Sequence, residues 1–197
     1  MEKGELTDIV VSVLAISIAF SIRGLLLGIP PNVKIFPIVL VTVGLGFVLH
    51  ELAHRFVSRM YGAVAFYRGW QGGLMLMLFT SLFGFIFAAP GAVYIYSPYL
   101  TRRQNGIISL AGPLTNFLLA ILFLFVGVMI GIGLSGTGET LAEQFLLYGF
   151  ATNLFLGFFN MIPIPPLDGS KVASWNFIIW AVVFLVFLLP MLLLGIF

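Results

Sequence analysis

The sequence predicts an all-α polytopic membrane protein. It should have about five to six transmembrane helices and a re-entrant or β-hairpin-like segment after the helix that carries both histidines. Three observations point there. The chain is 61% hydrophobic and only 8% charged, where a soluble domain is nearer a quarter charged. Its mean hydropathy is +1.17. Its apolar residues fall into runs that approach or exceed the ~20 residues needed to cross a ~30 Å hydrocarbon core.

Five runs are expected to span: 6–29, 36–57, 106–134, 141–162 and 174–197. Pro30-Pro31 ends the first, the run Ser135 to Gly138 parts the third from the fourth, and Pro163, Pro165 and Pro166 end the fourth. A sixth stretch, 72–96, is apolar but carries glycines, Pro90 and a β-branched and aromatic tail, so it makes a poor continuous helix. It is read as re-entrant or interfacial. At 197 residues the chain has room for one bundle, and 1–197 is read as a single domain. Its opening, MEKGELTD, is mixed and mostly acidic, unlike the basic start of a signal peptide. Cysteine is absent, which excludes disulfides and thiolate metal sites. The net charge of +2 gives no reason to expect a nucleic-acid partner; the lipid bilayer is the expected surrounding.

Basic residues orient the bundle. If 72–96 does not cross, Lys3, Arg55, Arg59, Arg68, Arg102, Arg103 and Lys171 share one face. Lys34 is left on the other, and Arg23 can snorkel from the end of the first helix. That bias makes the first face cytoplasmic, with the N-terminus on it.

His50, Glu51 and His54 form H-E-x-x-H, and these are the chain's two histidines. At i and i+4 two imidazoles share a helix face and can hold one Zn²⁺. Glu51 is offset from that face, where it can take a proton from a water that the metal activates. His50 lies fourteen residues after Phe36, roughly 21 Å along a helix. The motif therefore sits below the membrane surface, where ionisable groups are costly and usually functional.

A catalytic zinc commonly has three protein ligands. After the N-terminal tail the acidic residues are Glu51, Glu139, Glu143 and Asp168. Glu139 and Glu143 fall on the far face, so Asp168 is expected to complete the site. It can do so only if 72–96 does not span.

Together HELAH at 50–54, AGPLTN at 111–116 and NMIPIPPLDG at 160–169 resemble the site-2 protease family of intramembrane zinc metalloproteases. The resemblance runs from about residue 40 to 172. Asn160, Pro163, Asp168 and Gly169 match the family's asparagine–proline–aspartate–glycine pattern. The family often has glycine where this chain has Ala53, which is still small. The resemblance implies one zinc ion on His50, His54 and Asp168, with Glu51 as general base. It also implies cleavage of a membrane-anchored substrate's transmembrane helix near the cytoplasmic side.

Asn160 is the candidate donor to the oxyanion, as the family pattern suggests. Asn116 and Asn153 read as packing amides, and Arg55 as an interfacial anchor. Gly112 and Pro113 are expected to let the third full span pack close to the histidine helix. Segment 62–70 has strand-like composition, and its edge could hold an unwound substrate as an added strand. Two rival functions fit the same residues: a divalent-metal transporter or sensor, and an inactive homologue that binds helices without cutting them.

Overall fold

The computed structural model describes residues 4–87, 90–97, 99–132 and 140–195. Among these, seven α-helices and a two-stranded ribbon follow one another. They are α1 (Glu5–Ser21), α2 (Phe36–Met60), β1 (Val64–Gly69), α3 (Gln71–Ser81), β2 (Gly91–Tyr96), α4 (Arg102–Met129), α5 (Leu141–Asn160), α6 (Asp168–Trp175) and α7 (Phe177–Leu194). The break expected at Ser135 to Gly138, Glu139 and Lys3 lie outside the described residues.

Among the described residues, four stretches are long and apolar enough to cross a membrane: Glu5–Leu27, Val33–Met60, Arg102–Met129 and Phe177–Leu194. The run expected at 141–162 forms the 20-residue α5 but is not among the four. Glu143, Gln144, Asn153 and Asn160 dilute its apolar content. Asn153 is fully buried, so α5 turns polar groups inward rather than presenting an apolar surface all round.

Helix starts follow local chemistry. Thr101 and Gln104 form a capping box at the head of α4, and Thr140 and Glu143 form one at the head of α5. Asn176 opens α7 by accepting from the amides of Ile178 and Ile179. Leu118, Phe125, Ile178 and Leu193 point outward, as side chains facing lipid would.

Two apolar clusters hold the bundle. The first joins α1, α2, α3 and the ribbon around Ile16, Val39, Val43, Tyr67 and Met77. The second joins α4, α5, α6 and α7 around Leu154, Met161, Val172, Phe187 and Met191. Glycines set the closest crossings: a Cβ at Gly46 would strike Asn153, and one at Gly149 would strike Phe123.

Residues 72–96 do not form one helix. They divide into α3, a turn and β2, which pairs antiparallel with β1. Gly69 lies opposite Gly91, and the Trp70 amide donates to the Pro90 carbonyl at 2.8 Å. The excursion therefore leaves and returns at one place. Its far end meets the end of α1, where the Gly24 amide donates to the Ser81 carbonyl and Arg23 donates to the Gly84 carbonyl, both at 2.8 Å.

β1 is the inner strand. The Tyr67 amide donates to Glu5 Oε1 and the Gly69 amide to Asp8 Oδ2, both at 3.1 Å. Those amides point away from β2, so Tyr67–Val93 and Gly69–Gly91 are the pairs that do not exchange ladder bonds. On β2 the backbone groups of Gly91, Val93 and Ile95 accordingly face away from β1. The edge of 62–70 expected to be open is covered by α1, and the open edge belongs to β2.

Candidate metal centre

Three acidic or basic side chains from distant parts of the chain meet at one end of the bundle. His50 and His54 stand one turn apart on α2, and Asp168 is the first residue of α6. Their donor atoms lie within 4.8 Å of one another, and all three residues are buried. His54 Nε2 is 2.9 Å from both His50 Nε2 and Asp168 Oδ2, and His50 Nε2 is 3.3 Å from that oxygen.

The other ring nitrogens fix the tautomers. His54 Nδ1 is 2.7 Å from the Ile108 carbonyl, which can only accept, so it carries the proton. His50 Nδ1 is 2.6 Å from Asn116 Oδ1. The Asn116 amide nitrogen donates to the Gly46 carbonyl at 3.1 Å and to Asn153 Oδ1 at 3.0 Å, leaving its oxygen to accept. Asn153 in turn donates to the Gly149 carbonyl at 2.8 Å. This chain crosses α2, α4 and α5 and holds the His50 ring in place.

With both Nδ1 protons directed away, two neutral imidazole lone pairs and one carboxylate oxygen face each other. Three acceptors at this separation repel unless a cation or a shared proton lies among them. Burial pushes the Asp168 carboxyl up, but His54, His50 and Lys171 outweigh it and hold the carboxyl well below the usual range. Two imidazoles and a carboxylate are also a donor set that suits zinc. The residues fit such an ion.

Local packing explains the convergence. A Cβ at Gly112 would lie 2.5 Å from Nε2 of both histidines, so α4 approaches the cluster as only glycine allows. Gly169 lets α6 begin against the Met161 carbonyl, where a Cβ would collide. Lys171 Nζ reaches the second Asp168 oxygen at 3.4 Å.

Glu51 is buried, lines the same cavity as the three, and its Oε2 has no hydrogen-bond partner among the described residues. Its carboxylate accepts from the Val93 amide of β2. Asn160 lines the cavity too, but its amide donates to Leu156 of its own helix at 2.9 Å, and it stands outside the cluster. Burial, then the nearby Glu51 charge, push the Tyr67 hydroxyl up, and it stays protonated beside Ser12 Oγ at 2.8 Å.

Two readings change. Asn116 is no mere packing amide, since it orients His50. Arg55 is no interfacial anchor, since its guanidinium is largely buried against Glu5 at 2.9 Å. The signal for Asn116 was its place inside an apolar helix, one turn beyond Gly112. Asn116→Ala should weaken zinc binding by about 10- to 100-fold, measured by competition with a chelator of known affinity. Unchanged affinity would remove Asn116 from this role.

A helix-borne pair of imidazoles, a carboxylate from another element and a buried glutamate with one unpaired oxygen beside them define a metallohydrolase-type centre. Known relatives carry that class further. A Methanocaldococcus jannaschii protein is 47% identical over 180 residues, covering 91% of this chain and 88% of its own length. A Bacillus subtilis protein is 29% identical over 152 residues, 71% of this chain and 68% of its own length. Both bear the name "Putative zinc metalloprotease". A second M. jannaschii protein, named a zinc metalloprotease, is 28% identical over 147 residues, 74% of this chain and 36% of its own length. The chain belongs to this family of zinc metalloproteases. No family model and no solved structure matches it.

Proposed function

We propose that the chain is an intramembrane zinc metalloprotease of the site-2 type. It hydrolyses a peptide bond in or near the transmembrane segment of a membrane-anchored substrate, close to the cytoplasmic face. One observation carries this reading: His50, His54, Asp168, Glu51 and the edge of β2 line a single cavity. A substrate helix keeps its peptide groups in its own hydrogen bonds. To react it must unwind, and its freed backbone groups then need partners inside lipid. The outward groups of Gly91 and Ile95 and the Val93 carbonyl offer them, as an edge strand does for an extended peptide.

A zinc ion held by His50, His54 and Asp168 would act as a Lewis acid and bring a water's pKa towards ~7. Glu51 takes the proton of the attacking water and passes it to the departing amine. Asn160 rotates its amide from Leu156 towards the carbonyl oxygen of the bond being cut. Arg55, Arg59, Arg68, Arg102, Arg103 and Lys171 belong to elements that gather at the cluster's end, which supports a cytoplasmic position for it. On this reading α5 crosses as a fifth span, shielded by α2, α4 and α7.

The test uses vesicles that hold the purified protein and a substrate anchored by one transmembrane helix. Cleavage inside the anchor should stop when zinc is chelated and resume when it is returned. Zinc-loaded protein that leaves the anchor whole while carrying zinc across the vesicle wall would make it a transporter instead.

A further inference from the structure

We infer that Glu5 is a positioning residue that fixes the β2 edge relative to the metal-binding cluster, and through it selects which substrate bond is cut. The inference rests on the strand-docking reading above. Glu5 opens α1 and is only 1% exposed. Its Oε1 accepts from two elements at once, Arg55 Nη1 at 2.9 Å and the Tyr67 amide at 3.1 Å. Arg55 directly follows His54 on α2. Tyr67 lies opposite Val93, whose backbone faces Glu51. A single carboxylate thus ties the histidine helix to the ribbon whose far strand forms the docking edge. Asp8, one turn along α1, holds the ribbon again at Gly69.

A buried ion pair is a poor source of stability, because desolvation offsets most of the attraction, and apolar residues could fill the same volume. What apolar residues cannot supply is a directional bond to two elements. The helix N-terminus favours a carboxylate there, which helps hold Glu5 in one place. Moving a strand by one residue shifts the docked peptide by about 3.3 Å, enough to bring a different peptide bond to the cluster. Loosening Glu5 should therefore blur the choice of bond while leaving the ion in place.

The experiment compares wild type, Glu5→Ala, Glu5→Gln and Ile95→Pro. Each full chain is assayed on a substrate with one transmembrane anchor, with product masses, kcat, KM and zinc content recorded. Glu5→Ala should keep its zinc, lose roughly 10²-fold in kcat/KM and cut at neighbouring bonds as well as the wild-type bond. Glu5→Gln keeps an oxygen acceptor for both partners and should restore the single cut. Ile95→Pro removes an outward amide without touching the ladder or the Val93 amide at Glu51, and should abolish cleavage.

If Ile95→Pro cuts normally, strand docking is wrong and the inference falls with it. If Ile95→Pro is inactive while Glu5→Ala cuts one bond with wild-type constants, the inference alone is overturned. It is overturned equally if Glu5→Ala merely lowers thermal stability and active fraction without moving the cut. Should Glu5→Ala fail to fold, Asp8→Ala loosens the same strand and is judged by the same products.

Discussion

Glu51→Gln should leave the protein fully loaded with zinc and slow cleavage by roughly 10²- to 10⁴-fold. The side chain follows His50, so it points about 100° round α2 from that ligand and stays out of the cluster. Its Oε2 is buried without a hydrogen-bond partner among the described residues. Leaving such an oxygen unpaired is destabilising, and stable folds keep few such groups outside working sites. Glutamine has nearly the same shape, so the helix and the three converging residues should not move. It cannot take a proton. Zinc content by metal analysis and rate on an anchored substrate must be read on the same sample. Retained activity would mean another group is the base. Loss of zinc along with activity would mean Glu51 holds the centre together rather than working on it.

Gly112→Ala should abolish zinc binding. The added methyl would lie 2.5 Å from both imidazole Nε2 atoms, in the space an ion needs. The rings cannot swing aside, because Asn116 and the Ile108 carbonyl hold their Nδ1 atoms. A control sits on the same helix: a Cβ at Gly127 meets nothing closer than Leu146 at 3.8 Å. Gly127→Ala should bind zinc as wild type does. If both variants bind equally, α4 does not crowd the cluster as described. If Gly127→Ala also loses zinc, the effect comes from glycine replacement in α4 at large.

Much of the site was open to reading in the sequence because its constraints are local or topological. His50 and His54 are the only histidines, and their spacing alone puts them on one helix face. Asp168 is the carboxylate that the chain's threading can bring to that end of the bundle, and the structure brings it there. The strand character of 62–70 was visible in its residue mix, and β1 lies within it.

The remainder depended on partners far away in the chain. Asn116 meets a ring 66 positions earlier, and no spacing rule links them. Glu5 looked like one more acid in a polar opening, and Arg55 like a surface charge. Their pairing arises only when α1 packs beside α2. Composition marked the ribbon but not its open side, because carboxylates some sixty residues earlier cover one edge. The number of membrane crossings was least legible. Hydropathy sees average polarity along α5 and not that Asn153 faces inward.

The covered edge of β1 has a consequence for association between molecules. An exposed strand on each side of a sheet is a template for open-ended growth, chain upon chain. This ribbon can accept one strand, on β2, and then has no second side to offer. Two molecules meeting at that side would end as a closed pair rather than seed a fibre. A ribbon with a single free backbone edge is thereby limited to one added strand at a time.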